Sequence, residues 1–275
     1  MRLSDVQIAL ESRSLSQCSD LAAAYLRVHW CKVYAVALLF GVPTVVGVAV
    51  LAADSRISLL WQIVAFLFVS RFAGAALVAM VGPNIFGAPL SITGGVRGFA
   101  RRAPGLVGGL TLRTCLVLIL LFLGLVPAFL LAASSPFVPE VVLLERLGWR
   151  RMRVRQRELI AGEYSSVLAR MIGLLALGCL GVVSLFFGLD ALTHLIFETG
   201  IFVGRLGDYA ALGAFGVLCA DEVVAITLGI CTWLAYPWLR LTWFFYYLDL
   251  RIRHEGWDLE LELRREVEGW EGVGA

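Results

Sequence analysis

Runs of apolar residues long enough to cross a bilayer, separated by short stretches where arginine and acidic residues cluster, set the pattern of this chain. A hydrocarbon core ~30 Å thick takes about 20 helical residues per crossing. The runs at 33–53, 59–80, 165–187 and 223–247 each reach that length. The region 107–144 is too long for one crossing, and Pro127, the triplet Ser134-Ser135-Pro136 and Pro139 interrupt it. Divided there, it gives spans near 107–126 and 128–144, the second a shorter, proline-broken return. The predicted fold class is all-α: a polytopic membrane helix bundle of about six transmembrane helices, joined by helices lying on the cytoplasmic surface.

Charge decides the division. Were 107–144 a single span, the arginines at 97, 101 and 102 would sit across the membrane from those at 146, 150, 151, 153, 155 and 157, against the excess of cations expected on cytoplasmic loops. Two spans remove the conflict and place both termini in the cytoplasm of a cell (inner) membrane. On this arrangement only Arg56 and Arg205 of the 23 Lys and Arg residues lie outside, with Arg71 inside the membrane. An arginine-rich interfacial segment followed by a span occurs twice, at 97–113 and 146–170, a faint sign of related hairpins.

The ends are more polar. In residues 1–32, Leu21, Tyr25 and Leu26 face away from Arg27, and Ser19 or Asp20 can cap a helix. One or two short helices on the cytoplasmic face are expected. Asp5, Glu11 and Arg13 fall where the apolar core of a leader would lie, so none is expected here. Residues 190–222 carry six acidic or histidine side chains against Arg205 alone, which suits a non-cytoplasmic segment.

The last span ends in the aromatic cluster Trp238, Trp243, Phe244, Phe245, Tyr246 and Tyr247, read as an interfacial belt, and passes without a loop signal into the charged tail 249–275. Asp249 with Arg253, and Arg251 with Glu255, are opposite charges four residues apart, which adjoin on a helix. Gly256 then supplies a C-cap, and Asp258 can start a second helix with Leu259, Leu263 and Val267 on its apolar face. Residues 258–263 also alternate charged and apolar, so a strand stays open.

Composition confirms the solvent. The 275 residues are 60% hydrophobic and 16% charged, with mean hydropathy +0.85. Soluble domains carry about 25% charged residues, so lipid must solvate most of this surface. The six cysteines have no ligand spacing and read as small apolar residues; His29, His194 and His254 are scattered. His194 and Glu198 are at most half a metal site. No cofactor and no nucleic-acid partner is expected.

Two groups of charges stand out. Arg71 lies within a span, where a charge costs about 2.5–3.5 kcal/mol unless it finds a partner. Glu140, in the return arm, is the candidate to pair with it. Arg146, Arg150, Arg153 and Arg157 recur at helical spacing and form one stripe, facing anionic lipid headgroups or an acidic partner protein.

The run at 139–148, Pro-Glu-Val-Val-Leu-Leu-Glu-Arg-Leu-Gly, followed by Arg155, Leu159 and Gly162, resembles bacterial multi-span proteins related to the membrane domain beside glycerophosphodiester phosphodiesterases. The tail 247–259 looks like the same group's C-terminal signature. Together these stretches cover less than a fifth of the chain. Where that group has Arg-Ser, this chain has Arg155-Gln156, so no role of that serine carries over. The resemblance implies a helical bundle with cytoplasmic connecting helices and an ordered tail. It implies no phosphodiesterase activity, because the hydrolase is a separate domain.

No nucleophile elbow, phosphate-binding glycine loop, dinucleotide fingerprint or ligand cluster is present, and an enzyme is not expected. The leading expectation is a scaffold or accessory subunit that presents a basic cytoplasmic surface to lipids and partner proteins. The alternative is a small-molecule or lipid transporter using Arg71 and Glu140. An intramembrane cavity reaching Arg71 favours transport; a dry, packed core favours the scaffold.

Overall fold

The computed structural model describes residues 14–52, 58–145, 147–205, 217 and 221–255. Among them every long element is helical: α1 Leu15–Ala52, α2 Ser58–Ile85, α3 Ile92–Leu123, α4 Leu125–Ala133, α5 Val138–Leu144, α6 Trp149–Ile160, α7 Tyr164–Phe197 and α8 Glu222–Glu255. A short 3-10 turn, Val203–Arg205, follows α7. Among the described residues six segments are long and apolar enough to cross a membrane, one of them being α4 and α5 together, Leu125–Leu144. The protein is an all-α, multi-pass membrane protein.

The last helix is the hub. It packs against α1, α2, α6 and α7, and its 241–250 stretch is buried but for Trp243, while Ile230 and Leu234 nearer its start stay exposed. Phe244, Phe245, Tyr246 and Tyr247 are all buried, although four consecutive helical residues point to every side. The aromatic cluster read from the sequence as an interfacial belt is therefore largely core. Phe137 stacks on Trp243 at 5.2 Å and meets the rings of Tyr246 and Tyr247. A helix surrounded by protein turns its aromatic residues to packing on all sides, whereas a peripheral helix would leave half of them to lipid headgroups.

The helix expected before residue 33 meets the first span directly, across a kink. Residues 15–32 run on into the span, with one kink at His29. The small buried residues Cys18 and Ala22 let this stretch lie close to its neighbours. Trp238 donates its indole N–H to the Ser19 carbonyl at 3.3 Å, and Tyr25 donates to Asn84 Oδ1 at 2.8 Å.

Helix breaks have local causes. Between α3 and α4 stands Gly124 at φ 145°, a backbone conformation closed to L side chains. Residues 134–137 separate α4 from α5, with Pro136 and Pro139 refusing the continuation that an unbroken span would need. The two arginine-rich segments differ in turn. The first is continuous with its span in α3, while α6 is split from α7 by Gly162 at φ 80°.

Candidate functional site

Midway along α2, Arg71 opens onto a cavity of about 280 Å³. Ser70 and Phe66 flank it on the same helix; Tyr236, Arg240 and Trp243 enter from α8. Pro136 and Pro139 also line it, as do Met171 and Leu175 of α7. The broken segment between α4 and α5 creates this space, because a continuous helix there would carry side chains into it.

Glu140 sits behind Pro139, fully buried. Its Oε1 lies 2.6 Å from Arg240 Nη2, at an angle outside hydrogen-bonding geometry, and its Oε2 has no hydrogen-bond partner. Arg71 faces the same carboxylate at longer range, together with Arg240 and Tyr236, and forms no ion pair or hydrogen bond among the described residues. The direct partner of Glu140 is thus an arginine from α8. Arg71 is a second cation beside an ion pair that is already made.

A third cation completes the cluster. Arg113 of α3 lies within electrostatic reach of Arg71 and Glu140. Its Nη2 donates to the carbonyls of Leu131 at 3.3 Å and Ala132 at 2.6 Å, at the C-terminal end of α4. The last carbonyls of a helix lack intrahelical donors and carry the negative end of its dipole, so this cation has its compensation. Arg102 does the same for α5, donating to the carbonyls of Val142 and Leu143. The C-terminal ends of both helices of the broken span are held by arginines from α3.

Close helix packing makes the cluster possible. Tyr236 donates its hydroxyl to the Ser70 carbonyl, bringing α8 against α2 at Gly74. A Cβ at Gly74 would stand 2.5 Å from Arg240 Nε and 2.6 Å from the Tyr236 oxygen. Gly74→Ala is therefore expected to push Arg240 off Glu140 and lower stability by about 1–3 kcal/mol. Thermal unfolding of the detergent-solubilised protein checks this, and an unchanged midpoint would contradict the close approach.

A second polar cluster lies near the C-terminal end of α8. Asp249 is buried, pairs with Arg253 one turn on, and lies 3.6 Å from Arg170 of α7. Arg170 stacks over the Tyr246 ring at 4.5 Å, and Arg253 reaches Glu163 at 3.9 Å. Beside it, Tyr247 donates to Glu145 at 2.6 Å, and Arg155 of α6 pairs with the other oxygen of that carboxylate at 3.0 Å. Arg251 is half-buried. Glu255 is the last described residue of the helix, while Gly256 and Asp258 lie outside the described residues.

Of the basic stripe, Arg150, Arg153 and Arg157 are exposed along α6, opposite the buried Met152, Gln156 and Leu159; Arg146 lies outside the described residues. Both amide atoms of Gln156 lack hydrogen-bond partners. His194 is exposed and Glu198 caps α7 in the left-handed conformation; no group of three or more potential metal ligands occurs among the described residues. Asp221 accepts from the Val224 N–H at 3.0 Å, capping α8, and pairs with Arg205 at 2.6 Å.

Sequence reasoning singled out Arg71 and Glu140 and passed over Arg113, Arg170 and Arg240. The signal was present. Arg113 is the one charged residue between Arg102 and Glu140, as Arg240 is between Glu222 and Asp249. A lone charge in such a run must face protein, whatever the topology. No family model matches the chain, and neither does any curated protein or solved structure.

Proposed function

We propose that this chain is a permease-like membrane protein that takes up a ligand at the intramembrane cavity beside Arg71. One observation carries the reading: an arginine without an ion-pair or hydrogen-bonding partner among the described residues lines an open space at the broken span, next to a buried carboxylate. Broken helices and ionisable groups near mid-bundle are how secondary transporters build their sites. No reaction is assigned. The clustering of arginine between the spans supports a cytoplasmic placement of both termini.

Accessibility tests this. In a background lacking the six native cysteines, Ala132→Cys on the cavity wall should react with a water-soluble anionic methanethiosulfonate within minutes. Ala133→Cys, at a position with no exposure, should stay unlabelled. Protection of both positions would leave a packed core and remove the ligand-uptake reading.

The exposed arginines of α6 favour a second role for a different surface. Arg150, Arg153 and Arg157 form a basic face suited to anionic lipid headgroups, each adding about 1 kcal/mol of attraction near the leaflet, or to an acidic partner protein. This is the scaffold reading, and it draws on none of the cavity residues.

A further inference from the structure

We propose that the ligand of the cavity is a monoanionic amphiphile, its oxyanion held by the Arg71 guanidinium and its apolar part lying toward Leu175. The inference rests on the reading of the cavity as a ligand chamber and adds the chemical class of its occupant.

Charge accounting leads to it. Three arginines surround one carboxylate. Arg240 is matched by Glu140, and Arg113 by the carbonyl end of α4. Among the described residues Arg71 makes no ion pair or hydrogen bond and shares Glu140 only at longer range. A lysine or a carboxylic acid in this position could shed its charge by exchanging a proton; arginine cannot. A bare cation inside an apolar bundle is unfavourable, and Arg71 lines the open space. None of the described side chains supplies its counter-ion, so the ligand does, and one unmatched positive charge calls for one negative charge. The planar fork of guanidinium favours an oxyanion that offers two oxygens, such as a carboxylate or a phosphodiester.

The walls supply the rest of the class. Apart from the arginines, Ser70 and the Tyr236 hydroxyl, the lining is apolar, and the Ser70 carbonyl already occupies that hydroxyl. Leu175 lines the cavity and is also half exposed on the outer face of α7, at 51%. The chamber thus meets the surface that lipid chains cover. A small hydrophilic anion would leave those walls unused, whereas an amphiphile fills them and can arrive from the bilayer.

Native mass spectrometry of the full chain in neutral detergent tests the proposal with four probes: phosphatidylglycerol, oleate, phosphatidylcholine and inorganic phosphate. The wild-type protein should retain one phosphatidylglycerol or oleate, and which of the two distinguishes a lipid phosphodiester from a free carboxylate. Arg71→Met should weaken that binding at least tenfold, and Arg71→Lys should fall between. Should Arg71→Met fail to fold, Leu175→Trp keeps the cation, fills the apolar wall and should also lose the amphiphile. Binding unchanged in Arg71→Met, equal retention of phosphatidylcholine, or inorganic phosphate binding as tightly as the amphiphiles overturns the inference. If Ala132→Cys is labelled but neither anionic amphiphile is retained, this inference alone falls; if Ala132→Cys is inert, the chamber reading falls with it.

Discussion

Replacing Glu140 with alanine will destabilise the bundle by about 3–5 kcal/mol, the range found when one partner of a buried ion pair is removed. The carboxylate is fully buried, and Arg240 lies against it at 2.6 Å. Without it, Arg240 joins Arg71 as an unmatched cation at the heart of the bundle, and neither can neutralise itself. Apparent unfolding temperature in detergent and the yield of folded protein both report the loss. The double variant Glu140→Ala with Arg240→Met should recover much of it, because the unpaired charge goes with its partner. A double variant no more stable than the single one would show that the Glu140–Arg240 pair is not what holds this part of the structure.

Asp249→Ala should follow, at about 2–4 kcal/mol, reduced from the buried-pair range because Arg253 is partly exposed and so partly screened. Asp249 is 2% exposed and serves two arginines: Arg253 on its own helix and Arg170 on α7. Removing the carboxylate strands Arg170 and leaves Arg253 only its longer contact to Glu163, whereas Arg253→Ala leaves Arg170 its anion and its place over Tyr246. Thermal unfolding should therefore show a larger shift for Asp249→Ala than for Arg253→Ala. Limited trypsin digestion should show the same order in cleavage around α6 and the end of α8. Equal effects would mean that the contact to Arg170 contributes nothing.

Both effects concern charges whose partners come from helices distant in sequence, and this is where sequence reasoning thinned out. The Asp249–Arg253 pair was legible because four residues on a helix is a fixed geometry. Arg170, 79 positions before Asp249 by their residue numbers, offered no such rule. Glu140 was recognised as an intramembrane acid in need of a cation, and Arg71 was named for it; Arg240, equally isolated in its own apolar run, stands closer. Which cation wins depends on how α2 and α8 rotate about their axes, and that rotation is set at Gly74, where the absence of a side chain admits Arg240 and Tyr236.

The cavity was the least legible feature. Pro127, Pro136 and Pro139 announced a broken return arm. The space it leaves exists only because α7 and α8 stand where they do around the gap. The aromatic cluster carried a conflict of its own: tryptophan and tyrosine near a charge boundary fit an interface and a core equally well. Enclosure of α8 by its neighbours decided for the core.

Hydropathy by itself determined that the chain folds as helices in lipid, how many segments are long enough to cross, and where proline and glycine interrupt them. Those follow from a one-dimensional rule: backbone polar groups in hydrocarbon must be satisfied within their own segment, so local composition suffices. Partner choice among buried charges, the cavity and its unmatched arginine were decided only by tertiary structure. They depend on which faces of separate helices meet, and helices in lipid are held together by close packing and specific polar contacts rather than by the hydrophobic pattern that placed them there.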